Sequence, residues 1–257
     1  MKKMQNCITI LQTQRKKRHN QAKPAHNIIE KELMTMPIKA EDLRRYYHVG
    51  GSLVRALDGV SLDIADGEYV TICGASGSGK STLMNILGCL DVPTSGRYLL
   101  DGENVTSLND DKLSHIRANK IGFVFQSFNL IPTLTAQENV ELPLMYRGVP
   151  RKQRCEAARE ALEQVGLLER AGHRPCEMSG GQQQRTAIAR AIASRPSMIL
   201  ADEPCGNLDS RSGRVVCEIL EALHMCGKTI VMITHDENTA RHAERLIRIA
   251  DGRIAAG

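Results

Sequence analysis

One run in the chain has the residue types and spacing to hold a triphosphate: Gly74-Ala75-Ser76-Gly77-Ser78-Gly79-Lys80-Ser81-Thr82. It fits the pattern G-x-x-x-x-G-K-S/T, with Gly74, Gly79, Lys80 and Ser81 in the fixed places. Glycines let a backbone curl until successive N–H groups face phosphate oxygens. In that pattern Lys80 reaches the β- and γ-phosphates, and the Ser81 hydroxyl holds Mg²⁺. Far downstream, the apolar run Met198-Ile-Leu-Ala ends in two acids, Asp202 and Glu203. Asp202 would complete the Mg²⁺ shell, and Glu203 would polarise an attacking water. Between these lies Met178-Ser179-Gly180-Gly181-Gln182. Ser179 reads as a helix cap, and the free N–H groups behind it form a second anion-binding end.

The phosphate pattern carries meaning only between a strand and a helix. Tyr69 to Cys73 reads as a short buried strand, and Ser81 to Leu90 as a helix with Leu83, Ile86, Leu87 and Leu90 on one face. Upstream, Ile38 to Tyr46 reads as a charged edge strand, Val49 to Ser52 as a turn, and Leu57 to Ile64 as an alternating strand. Asp66-Gly67 reads as a hairpin turn into the phosphate-loop strand. Downstream come strand Arg97–Asp101, helix Leu108–Asn119, and buried strand Ile121–Phe125 ending at Gln126. From about 127 to 185 the pattern predicts a mostly helical subdomain inserted into the sheet domain, with an amphipathic helix over Arg151–Val165. Helix Ser179–Ser194, strand Met198–Asp202, helix Ser210–Cys226, strand Thr229–Ile233, a short helix after Asp236, and strands Leu246–Ile249 and Arg253–Ile254 complete the chain. Strands alternating with helices predict an α/β fold with a largely parallel core sheet, an antiparallel β edge and helices on both faces. There is no internal repeat.

The chain has 257 residues, 42% apolar and 25% charged, as in ordinary globular proteins. No apolar run approaches the ~18–20 residues that span a bilayer, so the chain is expected to stay in the cytosol. Eight cysteines with no C-x-x-C spacing are expected to be reduced, buried and small-apolar in role. Residues 1–40 carry a net charge of +7, whereas residues 41–257 sum to −2. Residues 1–37 therefore read as a basic, disordered leader. Such a tail could touch nucleic acid or an anionic membrane face, or the true start could be Met34 or Met36.

The order of phosphate loop, Gln126, Ser-Gly-Gly-Gln, Asp-Glu, Asn207-Leu-Asp209 and His235 resembles an ATP-binding cassette (ABC) ATPase over roughly residues 38–257. Met84-Asn-Ile-Leu-Gly-Cys-Leu-Asp91, Gly181-Gln-Gln-Gln-Arg185 and Asp202-Glu-Pro resemble the macrolide-export and lipoprotein-release branch (MacB/LolD-like). The resemblance implies ATP and Mg²⁺ as ligands and a head-to-tail pair of copies. Ser179, Gly180, Gly181 and Gln182 of one copy would close on the nucleotide held by the other. It also implies that Gln126 contacts Mg²⁺ and water, that Asp209 contacts the partner near its phosphate loop, and that His235 touches the γ-phosphate and helps place Glu203. Tyr47, 27 residues before Gly74, is the expected adenine-stacking ring, with Tyr46 as rival. Two positions depart from the pattern: Met178 where Leu is usual, and Cys205 where Thr is common.

The function so implied is the energising subunit of a transporter, peripheral to the cytoplasmic face of the membrane, with a separate permease chain. The alternative is a mechanical ATPase coupled to a cell-division-type permease. A chromosome- or translation-type ABC ATPase would carry a coiled-coil insertion or two cassettes, and 99 positions between Lys80 and Ser179 leave no room for that; no specific nucleic-acid partner is expected.

Overall fold

A computed structural model describes residues 38–255. The basic leader and the alternative starts at Met34 and Met36 lie outside the described residues. The chain builds two sheets. In the first, β1 (Ile38–Val49), β2 (Ser52–Ile64), β4 (Ser95–Leu100) and β5 (Glu103–Asn104) run antiparallel in the order β2-β1-β4-β5. The expectation of an edge strand is corrected here: β1 is paired on both sides, Ile38 facing Ile64 on β2 and Leu100 on β4, and it continues to Val49. Its charges mark a solvated face rather than a free lateral edge. Glu41, for instance, takes Lys39 and Arg97 at 2.8 and 2.6 Å. On the opposite face Ile38, Ala40 and Leu43 are buried. The change of parity after Ala40 is taken up by a bulge at Asp42, whose φ is 48°.

The second sheet has the order β10-β9-β3-β8-β7-β6. Here β3 is Tyr69–Cys73, β6 Ile121–Val124, β7 Met198–Asp202, β8 Thr229–Ile233, β9 Arg245–Ala250 and β10 Arg253–Ile254. From β9 to β6 every pairing is parallel, and β10 returns antiparallel on β9. Asp66-Gly67 is therefore a turn between two sheets and not a hairpin. Gly67 N donates to Thr229 Oγ1, which steers the chain toward β8 instead of back along β2. With β3 beside β8 and β8 beside β7, the carboxyl ends of these strands open together, where ligands sit in parallel sheets.

The helices are α1 (Lys80–Leu87), α2 (Asp110–Lys120), α3 (Ala136–Tyr146), α4 (Arg151–Gln164), α5 (Gly180–Ala193), α6 (Ser210–Met225) and α7 (Glu237–Ala240). Leu83, Ile86 and Leu87 of α1 are buried, each such side chain worth about 1.5–3 kcal/mol. Leu90 does not join them. The helix stops at Gly88, Cys89 turns to φ 54°, and Leu90 is 49% exposed.

Strand alternation divides the core. Met198 and Leu200 of β7, with Val231 and Ile233 of β8, pack with α1 and the antiparallel sheet. Ile199 and Ala201, with Ile230 and Met232, pack with α3, α4, α5 and α6. The helix behind the phosphate loop and the helix behind Ser179 thus belong to opposite faces of one sheet.

Candidate nucleotide site

The loop from Gly74 to Gly79 is shaped by close approach. A Cβ on Gly74 would run into the Ile249 carbonyl, and one on Gly79 into the Ala56 carbonyl. Gly79 also sits at φ 105°, which L side chains rarely adopt. It opens α1 without any side-chain cap, so the first N–H groups of the helix are left for an external acceptor. Five other helix starts are capped by side chains, those of Asn109, Thr135, Ser179, Asp209 and Asp236, and α4 begins after Pro150 without one. Ala75, Ser76 and Gly77 form the exposed tip. Ser78 is buried, and its hydroxyl has no hydrogen-bond partner among the described residues. Lys80 is 8% exposed, and its ammonium donates to the carbonyls of Gly74 at 2.9 Å and Ala75 at 2.7 Å. Ser81 is exposed and Thr82 half-buried at the first turn of α1.

Asp202 ends β7 beside this loop. Burial, then the charge of Glu203, raises its carboxyl above the usual carboxylate range, while Lys80 pulls the other way. No hydrogen bond or ion pair to the Asp202 carboxylate is found among the described residues. Glu203 follows at φ 45°, held there by its N–H donating to the Ile233 carbonyl at 2.8 Å. Its carboxylate is then fixed on both oxygens. His235 Nδ1 lies 2.6 Å from Oε1, and Thr234 Oγ1 donates to Oε2 at 3.2 Å. Thr234 escaped the sequence reading; its only signal is its place between β8 and His235.

Gln126 leaves β6 and meets the loop after Glu203. Its Nε2 donates to Asn207 Oδ1 at 3.3 Å, and Asn207 Nδ2 returns a bond to the Gln126 carbonyl at 3.1 Å. A residue quoted in the sequence only as part of the run Gly181 to Arg185 joins the same segments from below. Gln184 on α5 is fully buried, and its amide donates to the carbonyls of Pro204 at 2.6 Å and Phe125 at 3.2 Å.

Ser179 is the N-cap of α5, accepting from Gln182 N at 3.3 Å, while Gln182 Oε1 accepts from Ser179 N at 2.9 Å. Gln182, expected among the nucleotide contacts, here closes this reciprocal cap. Gly180 is half-buried, and at Gly181 a Cβ would press on Ser212 at the start of α6, 2.6 Å from its hydroxyl oxygen. Asp209 caps α6, accepting from Arg211 N, Ser212 N and Ser212 Oγ. These bonds, the Ser212 hydroxyl first, hold its carboxyl below the usual range. Tyr47 donates its hydroxyl to Asp91 at 2.7 Å, with the Arg45 guanidinium 4.6 Å from its ring centre. Tyr46 donates to Asp58 at 2.7 Å.

Residues 57–206 match the family described as ABC transporter. The chain belongs to that family. It is an ATPase of the ABC type, with a nucleotide-binding cassette. It is 55% identical over 217 residues to the macrolide export ATP-binding/permease protein MacB of Brucella melitensis, covering 84% of this chain and 34% of that protein. It is 54% identical over 213 residues to an uncharacterized ABC transporter ATP-binding protein of Thermotoga maritima, covering 83% of this chain and 91% of that one. The chain thus spans about a third of the length of the MacB relatives. Among solved structures it resembles the dimeric structure of MJ0796, a bacterial ABC transporter cassette, at TM-score 0.79 and 48% identity, covering 85% of this chain and 97% of that one. A dimeric post-hydrolysis state of the same cassette bound to ADP and Pi matches at TM-score 0.79 and 47% identity, with the same coverage.

The cysteines of this ABC cassette differ from expectation. All seven described cysteines are free, but only Cys89 and Cys217 are buried, and Cys176 is exposed. Cys205, three residues past Asp202, has its sulfur 3.5 Å from that of Cys217 on α6. The Cys217 thiol as hydrogen-bond partner holds the Cys205 thiol below its ordinary value.

Proposed function

We propose that two copies of this cassette pair head to tail, hydrolyse ATP at two composite sites and drive a membrane permease. The observation that carries the pairing is the division of the core. The uncapped start of α1 and the Ser179-capped start of α5 belong to helices on opposite faces of one sheet, which favours each start serving a different copy's triphosphate. A two-fold pair sets each against the other copy and yields two identical sites. The relatedness to cassettes solved as dimers supports this reading.

Within each site Lys80 exchanges its two loop carbonyls for β- and γ-phosphate oxygens, and the Ser78 hydroxyl gains the partner it lacks. Ser81, Asp202 and Gln126 offer a hydroxyl, a carboxylate and an amide oxygen, the hard oxygen donors suited to Mg²⁺ alongside phosphate. The Asp202 carboxylate, half-buried and without a hydrogen bond among the described residues, fits a cation. When bound, the ion neutralises phosphate charge. Glu203, fixed by Thr234 and His235, orients the attacking water, and His235, 68% exposed at its side chain, reaches the γ-phosphate. Tyr47 stacks on adenine, its ring held by Asp91 and Arg45. Ser179, Gly180 and Gly181 of the second copy close on the γ-phosphate, and Asp209 meets the partner near its phosphate loop.

An apolar groove of about 420 Å³ beside Gln126, lined by Ala118, Phe123, Phe125, Leu142, Pro143 and Tyr146, supports a permease contact there. No helix among the described residues is long and apolar enough to cross a membrane. A permease held at this groove would feel the Gln126 segment move at each turnover. The MacB relatives, named as ATP-binding/permease proteins, favour an export or release system on the cytoplasmic side of the membrane. The test is Glu203→Gln. It should retain ATP binding, lower kcat by about 10²–10⁴ and accumulate an ATP-dependent dimer by light scattering. Native turnover by that variant would refute the assignment.

A further inference from the structure

We propose that Cys205 and Cys217 form a reversible dithiol–disulfide switch that stops ATP turnover when oxidised. This inference rests on Glu203 being the residue that orients the water. The two sulfurs lie 3.5 Å apart, both thiols are free, and no backbone element separates them. Joining them requires a contraction to about 2 Å. Cys205 is half-buried while Cys217 is 2% exposed, so an oxidant meets Cys205 first and Cys217 waits behind it as the resolving thiol.

With a peroxide as oxidant, the Cys205 sulfur attacks one oxygen, the O–O bond breaks, and the departing oxygen leaves with a proton as water. The sulfenic acid left on Cys205 is attacked by the Cys217 sulfur; the S–O bond breaks and a second water leaves. Two thiols and one hydrogen peroxide thus give one disulfide and two waters.

Cys205 sits where a small pull is felt. Gly206 N donates to the Glu203 carbonyl at 3.0 Å, Leu208 N to the Cys205 carbonyl at 3.1 Å, and Cys205 itself to the Gly213 carbonyl at 3.5 Å. Asn207, two residues on, holds Gln126. A bridge to α6 removes the Gly213 bond and draws this turn toward the helix. Glu203 at φ 45° and Gln126 are both tethered to that turn. A displacement of about 1 Å in a positioning group can cost about a hundredfold in rate.

The full chain should be treated with stoichiometric hydrogen peroxide, digested without reductant for peptide mapping, and assayed for ATPase before and after dithiothreitol. The expected result is a Cys205–Cys217 cross-linked peptide with turnover at least tenfold lower, restored by dithiothreitol. Cys205→Ser and Cys217→Ala should keep their turnover through the same treatment. Absence of the cross-linked peptide, or its presence with unchanged turnover, overturns the proposal. Equal loss in Cys205→Ser also overturns it, placing the damage at another thiol such as Cys73 beside the phosphate loop. Should Glu203→Gln turn over normally while the bridge still stops the native chain, the role of Glu203 falls and the switch stands.

Discussion

Lys80 gives its ammonium to two carbonyls of its own loop. A buried ammonium must be paired, and the Gly74 and Ala75 carbonyls are the acceptors within its reach. Glu203 shows the converse: both carboxylate oxygens are already engaged, so its direction is set before substrate arrives. A third single residue, Asp58, bears on acid stability. Hydrogen bonds from Arg253, then Tyr46, hold the Asp58 carboxyl at about 2. Its unfolded value is about 3.9, so the stabilisation is full above that pH and is lost as pH falls toward 2. Urea midpoints of the native chain and Asp58→Asn should differ at pH 6 and converge by about pH 2. Midpoints that differ equally at both would show that Asp58 contributes through something other than its charge.

At the scale of elements, three consecutive glutamines on α5 do three jobs. Gln182 closes the Ser179 cap, Gln183 donates to the Pro175 and Met178 carbonyls, and Gln184 is buried beneath the loops of Gln126 and Glu203. Gln184→Leu removes both donors and strands the Phe125 and Pro204 carbonyls, at about 1–3 kcal/mol each. The expected outcome is a lower urea midpoint and kcat reduced about tenfold or more, with ATP affinity within about twofold of native. A Gln184→Leu chain with native kcat would reduce this residue to packing. The same helix marks what the sequence could tell. Ser179 and Gly181 are legible because cap and close approach are local patterns, whereas nothing in Gln-Gln-Gln distinguishes the buried member. Likewise the strands and helices of the parallel sheet were legible from period and punctuation. The interior place of β1 and the passage of Asp66-Gly67 between sheets were not, because lateral partners come from β4 and β8, distant in the chain. Thr234 and the Cys205–Cys217 contact were hidden for the same reason.

At the scale of the whole molecule, α1 and α5 pack on opposite faces of one sheet, and the proposed pairing gives each helix start a role in the other copy's site. In the proposed pair, closure would bring each Ser179 to the other chain's Lys80, and hydrolysis would release it. The groove beside Gln126 lies on the route by which that cycle would reach a membrane partner. Pairing also makes a defect in the phosphate cradle and a defect in the Ser179 helix start complementary when they sit on different chains. Lys80→Ala and Ser179→Arg should each be inactive alone. In a mixed pair, one site takes both defects and the other takes none. The deciding measurement is therefore ATPase activity on mixing the two inactive variants. Activity should reappear on mixing, peaking near equal proportions and approaching a quarter of native. Mixtures that stay inactive at every ratio, although the two variants associate, would contradict it.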